Sequence, residues 1–368
     1  MRFGTQHKGR GKSGSAVVTR PLAALLCFCA SAIVTTSAQD LQPLLDAGHY
    51  KRAKAIVDDR LKKNPKDADA LFASGVIKET QGDMDGAIAA IEQAITLQPK
   101  AIYHSQLGEV YGNKAQKVSM FSALKFAHKI RDEGEKALQL DPKLSDAYEL
   151  LIQYYLQAPG IAGGDKDKAY ALLDKLFQFD GVRANMIRGQ LALKDNQPDR
   201  AESYYRNALR ADENSYMAQT ALANFELSRK KYAPADTGAR EMLRIDRGRV
   251  TGYIFLAVSY ATQERWQDLD ATLGDAEKNV ADDFTPYYQA GRILYTNGKD
   301  LPRAERYFKK YLTQDPEIGM PALAHAHWRL GLVYEKEGRK PEAIQELQTA
   351  LNMKPDLEEA KKDLKRLK

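Results

Sequence analysis

The sequence predicts an all-α solenoid, a stack of similar helical units that share one continuous core, and three observations predict it. A small residue recurs as a register mark about every 34 positions, further small residues hold fixed distances from that mark, and prolines close several units at a constant offset beyond it. A period of this size means units that cannot bury their apolar faces alone and must stack.

The mark falls at Ala53, Ala87, Ile130, Ala169, Ala201, Ala235, Leu269, Ala304 and Ala343, giving spacings of 34, 43, 39, 32, 34, 34, 35 and 39. Seven positions later come Ala94, Ala137, Ala208, Ala276 and Ala350. Twelve positions later come Pro65, Pro99, Pro142, Pro316 and Pro355. Twelve positions before the mark sit Gly75, Ala223, Ala257 and Gly331, with Gly108, Gly189 and Gly291 close to the same place. Several independent positions therefore keep one register.

The chain opens with a segment of different character. Arg2, Lys8, Arg10, Lys12 and Arg20 precede an apolar run from Leu22 to Val34 and a small-residue exit at Thr36, Ser37 and Ala38, the layout of a secretory signal peptide. The apolar run is shorter than the roughly 20 residues of a membrane-spanning helix. Residues 1–38 are expected to be a leader cleaved after Ala38, with Ala32 as the second choice, and the mature chain is expected to carry no integral membrane span. Both cysteines, Cys27 and Cys29, lie in the leader, and Leu26 and Phe28 before them are poor neighbours for a lipidated cysteine. A thiol-free mature chain suits an oxidising compartment.

Charge follows the same division. The whole chain has 55 Lys+Arg against 49 Asp+Glu, and the leader holds five of the basic residues and no acidic one, which leaves a nearly neutral remainder. No basic stripe takes over, so nucleic acid is not an expected partner. With 43% apolar and 28% charged residues the chain is too apolar for a disordered polymer and too polar for a multi-span membrane protein.

From residue 39 the units follow in order. A short first unit runs from Leu41 to Pro65. The next ones are clearest in Ala68 to Pro99, in Ala101 to Tyr111 with Leu107, Gly108 and Tyr111, and in Ala324 to Pro355 with Leu330, Gly331, Tyr334, Ala343 and Ala350. These residues closely resemble the tetratricopeptide repeat (TPR) family. The resemblance covers essentially residues 40–355 and implies antiparallel helix pairs in a right-handed superhelical α-solenoid, here of about eight to nine repeats over 39–355. The small residues let paired helices approach, while Tyr111, Tyr260, Tyr334 and Phe308 fill the space between units. A large side chain at Gly108 or Gly331 would cost about 1–3 kcal/mol through overpacking.

Three stretches exceed the period, near 114–129, 158–166 and 317–323, and insertions in repeat proteins collect where individuality is displayed. In the second of them Gly160, Gly163, Gly164 and Lys166 lack the adjacent Gly-Lys and following Ser or Thr of a phosphate loop, and Asp165 and Asp167 would repel phosphate. A glycine-permitted loop with Asp165 capping the next helix is the expected structure. Residues 356–368 carry Leu357, Ala360, Leu364 and Leu367 at near-helical spacing among charges, as a C-terminal capping helix would.

Chemistry is sparse. His325 and His327 point to different helix faces, and His49, His104 and His128 fall in separate units, so no metal site is expected. There is no serine elbow and no cysteine nucleophile outside the leader. The chain is expected to be no enzyme and to use no cofactor. By register, the resemblance places Phe72, Glu109, Asn113, Tyr148, Tyr155, Arg183, Met186, Asn224, Tyr288, Arg292, Tyr295 and Trp328 on the concave groove, where aromatic, Met and Arg side chains anchor partners. The Lys and Asn pattern that clamps a C-terminal carboxylate in some relatives is absent.

The reading is a non-catalytic scaffold of the bacterial periplasm or cell envelope that binds a partner protein or peptide in the groove, peripherally membrane-associated or secreted forms included. The alternatives are a carrier of a small hydrophobic ligand and an enzyme subunit built on dispersed carboxylates, tyrosines and Arg292. Partner identity and oligomeric state are not legible in the sequence.

Overall fold

The computed structural model describes residues 41–368, and the expected leader, with both cysteines and both candidate cleavage points, lies outside the described residues. The described residues form helices and no strand. The first pair is the short α1 (Gln42–Asp46) with α2 (Tyr50–Lys63). There follow α3 (Ala68–Thr80) with α4 (Met84–Leu97), α5 (Ala101–Ala115) with α6 (Met120–Leu140), and α7 (Ser145–Gln157) with α8 (Lys166–Phe177). Next come α9 (Gly181–Lys194) with α10 (Pro198–Ala211), α11 (Tyr216–Ser228) with α12 (Tyr232–Ile245), and α13 (Thr251–Thr262) with α14 (Trp266–Asn279). The last pairs are α15 (Thr285–Asn297) with α16 (Leu301–Tyr311) and α17 (Leu323–Lys336) with α18 (Lys340–Met353), before α19 (Glu358–Leu367). This is the α-solenoid the period predicts.

Local chemistry sets the helix ends. Side chains of Asp67, Asp83, Asp165, Asp180, Ser215 and Asp300 each accept a hydrogen bond from a backbone N–H in the first turn of the helix that follows. The tight turn inside a pair needs one left-handed residue, and it recurs in register at Gly82, Asn196, Lys230, Glu264, Gly298 and Gly338. Lys230 and Glu264 take φ values of 58° and 59° there, a conformation that costs a side-chain-bearing residue about 1–2 kcal/mol.

Packing follows the sequence register. Tyr260, Tyr111 and Tyr334 are buried with their hydroxyls on Arg240, Glu92 and Glu305 of the preceding unit, whereas Phe308 is buried against Tyr288 and Gly291 of its own pair. A Cβ on Gly75 would fall inside van der Waals contact with Ile91 and lie 3.2 Å from the Ala87 carbonyl oxygen, and one on Gly108 would overlap Leu150 of the next pair. The small residues are thus set by close helix approach.

The three long stretches become three different structures. The first lengthens α6 to 21 residues. The second is a single 3-10 turn, Gly160–Ala162, held by the Tyr154 hydroxyl donating to the Ala162 carbonyl, with Asp165 capping α8. The third is the loop between α16 and α17, and it does not stay with its own unit. Glu317 accepts from the Lys51 backbone N–H at 2.8 Å, the Lys51 ammonium donates to the Asp282 and Asp315 carbonyls, and Ile318 packs against the core of the first units. One superhelical turn brings the start of α2 onto the two loops that flank α15 and α16.

At the other end α19 buries Ala360 and Leu367 against the last pair, and Asp363 accepts from the Trp328 indole at 2.9 Å. Among the described residues no helix is long and apolar enough to cross a membrane.

Candidate functional site

The first helices of successive pairs face the inside of the superhelical turn, and there they enclose connected space. A cavity of about 690 Å³ is lined from α1, α5, α7, α9 and α11 and from Arg249 beside α13. A second, of about 510 Å³, lies between α1, α3 and α5, and a third, of about 300 Å³, between α5, α6 and α7. Glu109 lines all three.

Its neighbours are mostly acidic, and most of them are spoken for. Glu79 accepts from Gln106 at 2.7 Å and from Asn113 at 2.8 Å. Asp146 and Glu149 share Arg183, whose Nη1 donates at 2.5 Å and 3.2 Å, and Glu149 also accepts from Gln153. Among the described residues Glu109 has only a 3.4 Å contact from Gln106 and no cation in contact. Withdrawal from bulk water pushes its carboxyl up to about 7, and repulsion from Glu79, Glu149 and Asp146 adds to the rise against a smaller opposing pull from Arg183. Burial raises Glu79 and Glu149 as well. The cavity wall therefore combines a carboxylate that resists ionisation with amide and guanidinium donors, a surface suited to hydrogen bonding and to accepting a positive charge.

The residues singled out from the sequence divide by environment. Phe72, Glu109, Asn113 and Arg183 line the cavities, Phe72 while stacked on Tyr103 at 4.5 Å between ring centres. Tyr148 is buried edge-on to Phe179, Tyr155 is buried against Tyr154, and Tyr288 is buried between Phe308 and Tyr311. Arg292 donates to Gln289, Tyr295 lies under the Lys336 ammonium, and Trp328 holds Asp363 of α19. Met186 is half-buried and Asn224 exposed.

In α7 the cavity is lined by Asp146, Glu149, Leu150 and Gln153, a set spaced by three and four, while Tyr148, Ile152 and Tyr155 turn into the core. The five-residue excess in this unit, whose mark lies 39 positions after the previous one, breaks the fixed distance from helix to mark. The helical spacing of its polar residues is the signal that would have found the lining face. Tyr216 and Arg249 also line the large cavity, with the Arg249 guanidinium 4.6 Å from the Tyr216 ring centre.

The tetratricopeptide repeat family matches residues 43–102, 188–237 and 288–358. The unmatched 103–187 contain the lengthened α6 and the 3-10 turn. No curated protein matches the chain by sequence. Among solved structures it is similar to YrrB, described as a TPR protein with an unusual peptide-binding site, at 21% identity over 52% of this chain and 97% of that one, with a TM-score of 0.35. It is also similar to yeast Tom70, at 14% identity over 89% and 79% of the two chains and a TM-score of 0.47. A tetratricopeptide repeat protein from Parabacteroides merdae aligns at 13% identity over 82% and 98%, with a TM-score of 0.41.

Proposed function

The chain is a tetratricopeptide repeat protein, an interaction scaffold by fold, and we propose that it binds a partner protein or peptide along the inside of its superhelical turn without catalysing a reaction. The observation that carries this reading is the 690 Å³ cavity lined by the first helices of five pairs, because it offers side chains from many units along one path. Glu109 at the junction favours a segment that presents a lysine, an arginine or a hydrogen-bond donor to it. The basic, apolar and small-residue leader supports export to the periplasm or cell envelope as the place of action.

A photo-crosslinking residue at Gln153, exposed in the cavity, is expected to capture the same protein in repeated native preparations, while one at Asp199, exposed at the start of α10, captures none of it. Equal capture at both positions, or capture only at Asp199, would remove the groove from the account.

The 300 Å³ cavity supports a second reading, a small hydrophobic ligand, since Leu124, Ala127, Ile130 and Leu150 form an apolar wall at the low end of the range for ligand pockets, about 300–1,000 Å³. Native mass spectrometry of the purified chain that shows a retained small molecule favours it over a peptide.

A further inference from the structure

Three side chains of ligand-forming type converge where α2 begins. A ring nitrogen of His49, a carboxylate oxygen of Asp282 and one of Glu317 all lie within 4.8 Å of one another. They come from the α1–α2 connection, the loop before α15 and the loop before α17, so this meeting exists only because the superhelical turn closes.

Glu317 is the informative member. It is only 3% exposed, and its Oε1 accepts from the backbone N–H groups of Lys51 and Ile318, both at 2.8 Å. Its Oε2 is buried with no hydrogen-bond partner among the described residues. A buried carboxylate oxygen left without a donor is an exception in folded proteins and points to a missing counterpart. The nearest basic groups are otherwise committed: the Lys51 ammonium donates to the carbonyls of Asp282 and Asp315, and Arg52 donates to the two oxygens of Asp282. Each Asp282 oxygen keeps a second lone pair.

We propose that His49, Asp282 and Glu317 form a site for a divalent transition-metal cation of the zinc class. One imidazole and two carboxylates make the three-ligand set that zinc takes, at bonds of about 2.0–2.2 Å, with water in the fourth position. The two carboxylates balance the charge of the cation. Bound there, the metal ties the first repeat to both loops around α15 and α16 and fixes the closed turn, a role separate from partner binding in the cavities.

The test is zinc titration of the metal-free full chain by calorimetry, with Cys27 and Cys29 alkylated so that their thiolates do not compete. One zinc per chain is expected, with affinity lowered at least about tenfold in His49→Ala and in Glu317→Gln and unchanged in His128→Ala. Cobalt(II) in place of zinc is expected to show a visible absorption band in the parent that His49→Ala loses. His49 is only partly buried, so this variant decides the matter even if Glu317→Gln fails to fold. Absence of zinc binding by the parent, or binding that survives intact in His49→Ala, overturns the site.

Discussion

Arg52 and Asp282 stand 230 positions apart in the chain and meet through two hydrogen bonds, Nε to Oδ2 at 2.7 Å and Nη2 to Oδ1 at 2.6 Å. This paired contact holds the Asp282 carboxyl below the usual carboxylate range, the two hydrogen bonds and the charge of Arg52 outweighing the effect of burial. A repeat array is ordinarily stabilised by nearest neighbours alone, and this one adds contacts across a whole superhelical turn.

The side chains of Arg52 and Asp282 are 47% and 30% exposed, so the pair is screened by water and salt. Arg52→Ala is expected to cost about 0.5–1 kcal/mol at low ionic strength and less at high salt, measured by denaturant unfolding. Because the Asp282 pKa is lowered in the folded state, this stability is present above the unfolded carboxylate pKa and is lost as pH falls through the folded value. A cost that does not shrink with salt, or that survives at acid pH, would contradict the ion-pair account.

Lys230 is exposed and sits in the left-handed turn that glycine occupies in other units. Lys230→Gly relieves about 1–2 kcal/mol of backbone strain and gives back about 0.5–1 kcal/mol in unfolded-chain entropy. The expected net gain is about 0.5–1 kcal/mol, read as a higher midpoint of thermal or denaturant unfolding. A lower midpoint would show that the lysine side chain contributes more than its backbone strain costs.

Glu109 titrates near 7 in the folded chain, above its ordinary 4.5, so the folded state holds a proton that the unfolded chain has released. Its contribution therefore favours the fold below the unfolded pKa and is lost as pH rises through about 7. Glu109→Gln is expected to raise the unfolding midpoint more at about pH 8 than at about pH 5 and to flatten the dependence between them. Equal shifts at both pH values would mean that neither burial nor its acidic neighbours raise the Glu109 pKa in the folded chain.

The solenoid was legible because its determinants are local: Gly75 and Ala87 within one unit and Tyr111 between neighbours impose the same spacing wherever they occur. The lining of the cavities was legible only in part. Register identified Glu109, Asn113 and Arg183, but a turn of helix offers the same period to a groove and to the adjoining core, so Tyr148 and Tyr288 read alike with them although Phe179 of the α8–α9 connection packs on the one and α16 on the other. His49 was read against the other histidines because sequence gives no way to see Asp282 and Glu317 beside it. Their approach depends on the accumulated rotation from unit to unit, and no short pattern records that sum.

The contact of Glu317 with Lys51 also limits how such a chain can evolve. An open array can gain or lose a unit by duplication and still function, since its ends need no particular neighbour. Here one extra pair between α3 and α14 would carry the docking loop past its seat by a full step, so this contact can form only with the present number of pairs between its two sides.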